Sequence, residues 1–141
     1  MIDSWVYFAV GSAFFAGLTA IFGKIGVSGI NSNLSTFLRT IVVALMTGAI
    51  VLFMKEWQNP FALPRKALTA LILSALATGG SWLCYYRALQ LGPASKVAPV
   101  DKLGVIFAVV LAFIFLGEKP EMKTIIGVLL IAAGSIVIIL K

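Results

Sequence analysis

Apolar residues run through this chain in five long stretches, Ser4 to Gly23, Leu34 to Met54, Ala67 to Tyr86, Val97 to Leu116 and Thr124 to Leu140. A helix that crosses a bilayer needs about 20 mostly apolar residues, so each stretch predicts one transmembrane helix. The expected fold class is an all-α polytopic membrane protein, a single membrane domain over residues 1–141 with five spans, short connections and no soluble domain. Breakers separate the spans: the Gly-, Ser- and Asn-rich segment Gly26 to Asn33, then Gln58-Asn59-Pro60 and Pro64, then Gly92-Pro93, then Gly117 and Pro120. Trp5, Tyr7, Trp57, Tyr85 and Tyr86 fall at the ends of spans, where aromatic belts are found. Before the first span stands only Met1-Ile2-Asp3-Ser4, without a basic region, and the run is long for a signal peptide. It reads as a retained helix.

Composition agrees with the pattern. The 141 residues are 61% hydrophobic and 11% charged, with a mean hydropathy of +1.09, whereas soluble domains carry about 45–50% apolar and about 25% charged residues. A water-soluble globule and a disordered tail are both excluded. A lone cysteine, Cys84, excludes an internal disulfide and a cysteine-based metal cluster. Eleven Lys and Arg against five Asp and Glu give a net charge of +6. These cations flank apolar runs, so the bilayer rather than nucleic acid is their expected partner. With five spans the termini face opposite sides. One side holds Lys55, Arg65, Lys66, Lys119 and Lys123, and the other Lys24, Arg87, Lys96 and Lys141, joined by Arg39 and Lys102. The near-balance fits a chain that inserts both ways, and it equally fits a bias too small to show in one short sequence.

Three ionisable residues fall inside spans: Arg39, Asp101 and Lys102. A charge at bilayer depth costs about 2.5–3.5 kcal/mol or more and usually marks a pathway or an ion pair. By helical rise, Arg39 and Asp101 lie at nearly the same depth, roughly 6–8 Å from one surface, so they are expected to pair. Lys102 is then left over, and with Lys24, Arg87 and Lys96 it makes this end of the bundle strongly cationic. Two readings stand side by side. An anionic substrate group binds there, or the pair is structural and the lysines reach out to lipid headgroups.

Polar residues fall at helical spacing within the spans. Ser74, Thr78, Ser81 and Tyr85 form one stripe in the third span, with Trp82 beside it; Thr36, Thr40 and Thr47 share a face next to Arg39; Ser12 and Thr19 do so in the first span. The stripes are read either as cavity lining or as hydroxyls satisfied by neighbouring helices, worth about 0.6 kcal/mol each. The fifth span has only Thr124 and Ser135 and looks like a packing helix, with Gly127 and Gly134 on one face. Pro99 lacks an amide donor, so the fourth span is expected either to start late or to be loosened beside Asp101 and Lys102. Enzyme chemistry has little to work with. There is no histidine, and Asp101 and Glu118 stand at opposite ends of one helix, about 25 Å apart by helical rise. Neither a catalytic residue nor a metal site nor a cofactor is predicted.

Several stretches resemble the EamA-type repeat of the drug/metabolite transporter superfamily. These are Trp5 to Lys24 with Lys24-Ile25-Gly26-Val27, Phe37-Leu38-Arg39, Ala88-Leu89-Gln90-Leu91-Gly92-Pro93-Ala94 with Val97-Ala98-Pro99, and Phe115-Leu116-Gly117-Glu118 followed by Ile126-Gly127 and Ala133-Gly134. The resemblance covers essentially the whole chain. It implies one half of an inverted-repeat, ten-helix transporter, with the substrate site among the first four helices of each half and the fifth helices holding the halves together. Small multidrug-resistance proteins of the same superfamily have four helices and an acid in the first span. This chain has no acid there after Asp3, so their proton coupling is not carried over.

The expectation that follows is a membrane transporter of small metabolites or drugs. It would work by alternating access as an antiparallel homodimer or with a sister chain, and the compact loops suit a prokaryotic plasma membrane. Arg39, Lys102, Thr78, Ser81, Tyr85 and Trp82 are placed on the substrate path, with Asp101 holding Arg39 or serving in coupling. Pro99, Glu118, Gly127 and Gly134 are given structural roles, Glu118 by ordering a turn with Lys119 or Lys123. A non-transporting membrane interaction subunit and a passive pore are the competing readings. The substrate is expected to be a small molecule, with the cationic end leaning toward a carboxylate or phosphate.

Overall fold

The structure is a computed structural model that describes residues 3–140. Met1, Ile2 and Lys141, used above in the signal and charge arguments, lie outside the described residues. Helices α1 (Ser4–Gly26), α2 (Ser32–Phe53) and α3 (Arg65–Leu91) are continuous. The fourth span, Ala94–Leu116, is built from α4 (Ala94–Asp101), α5 (Gly104–Leu111) and a π-helical turn (Ala112–Leu116), and α6 (Met122–Ile139) is the fifth. Among the described residues there is no strand, and five helical stretches are long and apolar enough to cross a membrane. The chain is an all-α polytopic membrane protein.

Local chemistry sets the ends of these helices. The Asn31 side chain accepts from the Asn33 N–H at 2.9 Å and caps α2. Asn59 does the same for a short 3-10 turn, Pro60–Ala62, accepting from the Phe61 N–H at 3.0 Å. Gly117 adopts φ +69° after the π turn, a left-handed conformation that costs glycine little, and its N–H returns to the Ala112 carbonyl. Lys55 takes the same conformation, φ 58°, two residues past α2 without that advantage. Helix α3 continues through Arg87 and Gln90 to Leu91, five residues beyond the apolar run.

The described residues group into two compact units, residues 23–91 and residues 3–22 together with 92–140, so that α1 contributes to both. In the first unit α2 packs on α3, and Val27 and Leu89 are fully buried. Gly23 sits tightly in this contact: a Cβ there would lie 3.1 Å from Leu89 Cδ1 and 3.3 Å from Tyr86 Oη, so those side chains would have to give way. In the second unit α4 and α5 pack against α6, burying Ala132 and Ser135. Most large apolar side chains, Phe8, Phe53, Leu76 and Phe115 among them, are exposed. Such a surface is at home against lipid tails or other helices and untenable in water.

The fourth span differs from the straight helix that hydropathy predicts. It begins directly after Pro93 and therefore does not start late; Pro99 lies inside α4, and the loosening follows it. The Lys102 N–H bonds to the Pro99 carbonyl, Leu103 to Val100, Val105 to Lys102 and Ile106 to Leu103, all three residues back and at 3.0–3.1 Å. The helix thus tightens and breaks at Lys102 and Leu103 before α5 resumes. From α6, the Ser135 hydroxyl donates to the Pro99 carbonyl at 2.9 Å, fixing the broken span to the fifth helix.

Candidate functional site

Arg39 is seven residues into α2, about 10 Å along its axis. Its guanidinium carbon lies 4.0 Å from the centre of the Trp82 ring and 5.5 Å from that of Tyr86, both on α3. Stacking of this kind is worth about 2 kcal/mol or more when desolvated. It braces the cation without using up its N–H donors. The Arg39 Nη1 atom is buried and has no hydrogen-bond partner, and Arg39 forms no ion pair among the described residues.

Two rings thus brace Arg39 within its own unit. The Asp101 carboxylate faces Lys102 Nζ at 3.5 Å, in a partly exposed pair at the break of the fourth span. Tyr86, read from the sequence as part of an interfacial belt, is buried and is the second ring over Arg39. Its spacing of four from Trp82 could have placed both on one helix face.

Four threonines of the hydroxyl stripes are satisfied within their own helices. Thr36 donates to the Ser32 carbonyl at 2.9 Å, Thr40 to Thr36 at 2.8 Å, Thr47 to Val43 at 2.9 Å and Thr78 to Ser74 at 2.9 Å. A hydroxyl so engaged still accepts hydrogen bonds. On α3 the face of Trp82, Tyr86 and Leu89 packs inward, and the stripe Ser74, Thr78, Ser81 and Tyr85 lies beside it, rotated by roughly a fifth of a turn. Ser81 and Thr78 are exposed and Tyr85 is half-buried.

The cationic end is largely committed to structure. Lys24 Nζ donates to the Leu89 carbonyl at 2.6 Å, capping a carbonyl near the C-terminus of α3, where positive charge is favoured. The Gln90 amide donates to the Ile30 carbonyl at 2.9 Å and its oxygen accepts from Arg87 Nη1 at 2.6 Å. The stretches Lys24-Ile25-Gly26-Val27 and Ala88-Leu89-Gln90 thereby clasp the turn between α1 and α2 to the end of α3.

Glu118 does not pair with Lys119 or Lys123 among the described residues; its backbone N–H bonds to Ala112 O at 3.3 Å and so orders the turn through the main chain. Glu118, Lys119, Glu121 and Thr124 line an open cleft of about 450 Å³. Gly127 and Gly134 have open space where a Cβ would stand. Among the described residues, no three metal-ligating side chains converge.

Comparison with known proteins gives this arrangement its context. A bacterial protein named "Uncharacterized transporter in cobO 3' region", from a Sinorhizobium species, is 46% identical over 138 residues, spanning 98% of both chains. An uncharacterized protein of Methanocaldococcus jannaschii is 31% identical over 138 residues, 97% of each. No solved structure matches the chain. The family model of the EamA-like transporters matches residues 3–140. With five membrane-spanning helices and a match along nearly its full length, the chain belongs to the EamA-like transporter family and is a multi-pass membrane transporter.

Proposed function

We propose that two copies of the chain insert in opposite orientations in a prokaryotic plasma membrane and form an antiparallel ten-helix homodimer. The dimer moves a small solute by alternating access. Arg39 and the α3 residues Trp82, Thr78, Ser81 and Tyr85 face the path, and the broken fourth span contributes Lys102 to it. One observation carries this reading: backbone helicity fails at Lys102 and Leu103, eight and nine residues into an apolar span, with Asp101, Lys102 and Gly104 exposed on the single chain. Irregular backbone at membrane depth is stable only when other protein covers it or when it lines a water-filled cavity. Interrupted helices mark substrate sites in transporters built from inverted repeats. The near-balance of loop cations and the similar length of both relatives support pairing of single repeats, and the bacterial and archaeal origin of those relatives supports the membrane assigned.

Reconstitution tests the proposal. Purified protein in proteoliposomes, offered a panel of labelled amino acids, organic acids, bases and quaternary amines, is expected to show uptake that saturates and is accelerated by the same solute on the opposite side. Unsaturable flux would indicate a pore. No flux for any solute would favour a non-transporting subunit.

A further inference from the structure

Positive charge is plentiful in this chain, but several of the cations are already engaged. Lys24 caps the Leu89 carbonyl, Arg87 holds Gln90, and Lys102 faces Asp101. Arg39 is different in kind. The Trp82 and Tyr86 rings lie against it, it forms no ion pair among the described residues, and its buried Nη1 donor has no hydrogen-bond partner there. Buried donors in native proteins are nearly always satisfied, and an orphan calls for a missing partner. That partner has to accept hydrogen bonds in the plane of the guanidinium, where its N–H groups point, and it has to carry negative charge to balance a cation inside a membrane span.

From this we infer that the Arg39 edge, held by the Trp82 and Tyr86 rings, is the docking point for an oxyanion on the transported solute, a carboxylate or a phosphate group. The inference rests on the reading of Arg39 as a path residue and names the class of solute that path takes. Aromatic stacking suits the task. An acidic partner would compete with the substrate for the same N–H groups, whereas the rings orient the fork and leave its donors free. The Thr36 and Thr40 hydroxyls on the neighbouring turns of α2 donate to their own helix and do not compete for the anion. Arginine rather than lysine is needed, because the two-pronged contact and the stacking both depend on the planar group. A phosphate could also come from a lipid headgroup, so the test separates that source from a soluble solute.

Trp82 is itself the reporter. With Trp5→Phe and Trp57→Phe in the full chain, Trp82 is the remaining tryptophan of the three. The protein is held in micelles of a neutral maltoside and titrated with acetate, with inorganic phosphate, with chloride at matched ionic strength, and separately with phosphatidylglycerol. Acetate or phosphate is expected to change Trp82 fluorescence saturably where chloride does not. The response should vanish in Arg39→Gln and weaken about tenfold in Arg39→Lys, which keeps the charge and loses the fork. Gel filtration of both variants identifies any misfolded protein, and Arg39→Lys carries the test if Arg39→Gln does not fold. A response to phosphatidylglycerol alone would overturn the inference in favour of a lipid site. So would no response to either soluble anion, or an undiminished response in the folded variants. A Trp82 response without flux in proteoliposomes would remove the transport reading and leave the oxyanion site, while flux without a Trp82 response would do the reverse.

Discussion

The two compact units place charge inside the membrane by opposite means. In residues 23–91 the backbone is continuous through α2 and α3, the turn between α1 and α2 is clasped by Lys24 and Gln90, and the charge sits on a side chain braced by two rings. In residues 92–140 it is the backbone that is irregular, with Pro99, a tightened turn at Lys102 and Leu103, and a π-helical turn before Gly117. There the charged pair Asp101 and Lys102 is exposed. The contrast teaches that a rigid helix pair can present a fixed binding group, whereas a span broken at Lys102 and Leu103 is suited to bend. The proposed alternating transporter has use for both.

Removing the binding group should have the largest effect. Arg39→Gln is expected to reduce flux to the level of empty liposomes while circular dichroism and gel filtration stay normal; full activity would deny that the first unit holds the binding group. Next comes the flexible element. Pro99→Ala restores an amide donor inside α4, where proline costs up to about 3 kcal/mol in a soluble helix. We expect flux to fall about tenfold while thermal stability in detergent rises, and unchanged flux would mean that the break is structural only. Rigidity of the first unit is sharpened by Gly23→Ala, whose new methyl meets Leu89 and Tyr86. Overpacking of this kind costs about 1–3 kcal/mol, a clear drop in unfolding temperature. Gly79→Ala, with open space around it, should instead be neutral or stabilise by up to about 1 kcal/mol through helix propensity. The smallest effect belongs to Ser135→Ala. The Pro99 carbonyl keeps its bond from the Lys102 N–H, so the loss should be near 0.6 kcal/mol, read as a slight shift in thermal unfolding.

Five spans, their order and most of their limits were legible in the sequence, because a run of apolar residues long enough to cross a bilayer has few other outcomes. Hydropathy places the third span's end at Tyr86, but the helix runs on to Leu91. Hydrogen bonding continues past the last apolar residue, and polar Arg87 and Gln90 are good helix formers. Pro99 announced a disturbance, yet whether a proline delays a helix or breaks it four residues later depends on partners such as Ser135, which lie far off in sequence. The candidate site was legible in part. Arg39 stands out by its cost at that depth, whereas its partners do not, because an aromatic ring in a membrane helix looks like any other apolar residue until its facing helix is known. Spacing identified the hydroxyl stripe of α3 without revealing that the packed face lies beside it.

The proposed dimer depends most on how the chain inserts. Cys84→Ser with one cysteine appended after Lys141 leaves a single thiol at the C-terminus. Labelling intact cells with an impermeant thiol reagent, before and after permeabilisation, then counts the chains facing each way. A population split near one half is predicted, and would make the antiparallel homodimer the unit of transport. Labelling of one orientation alone would contradict it.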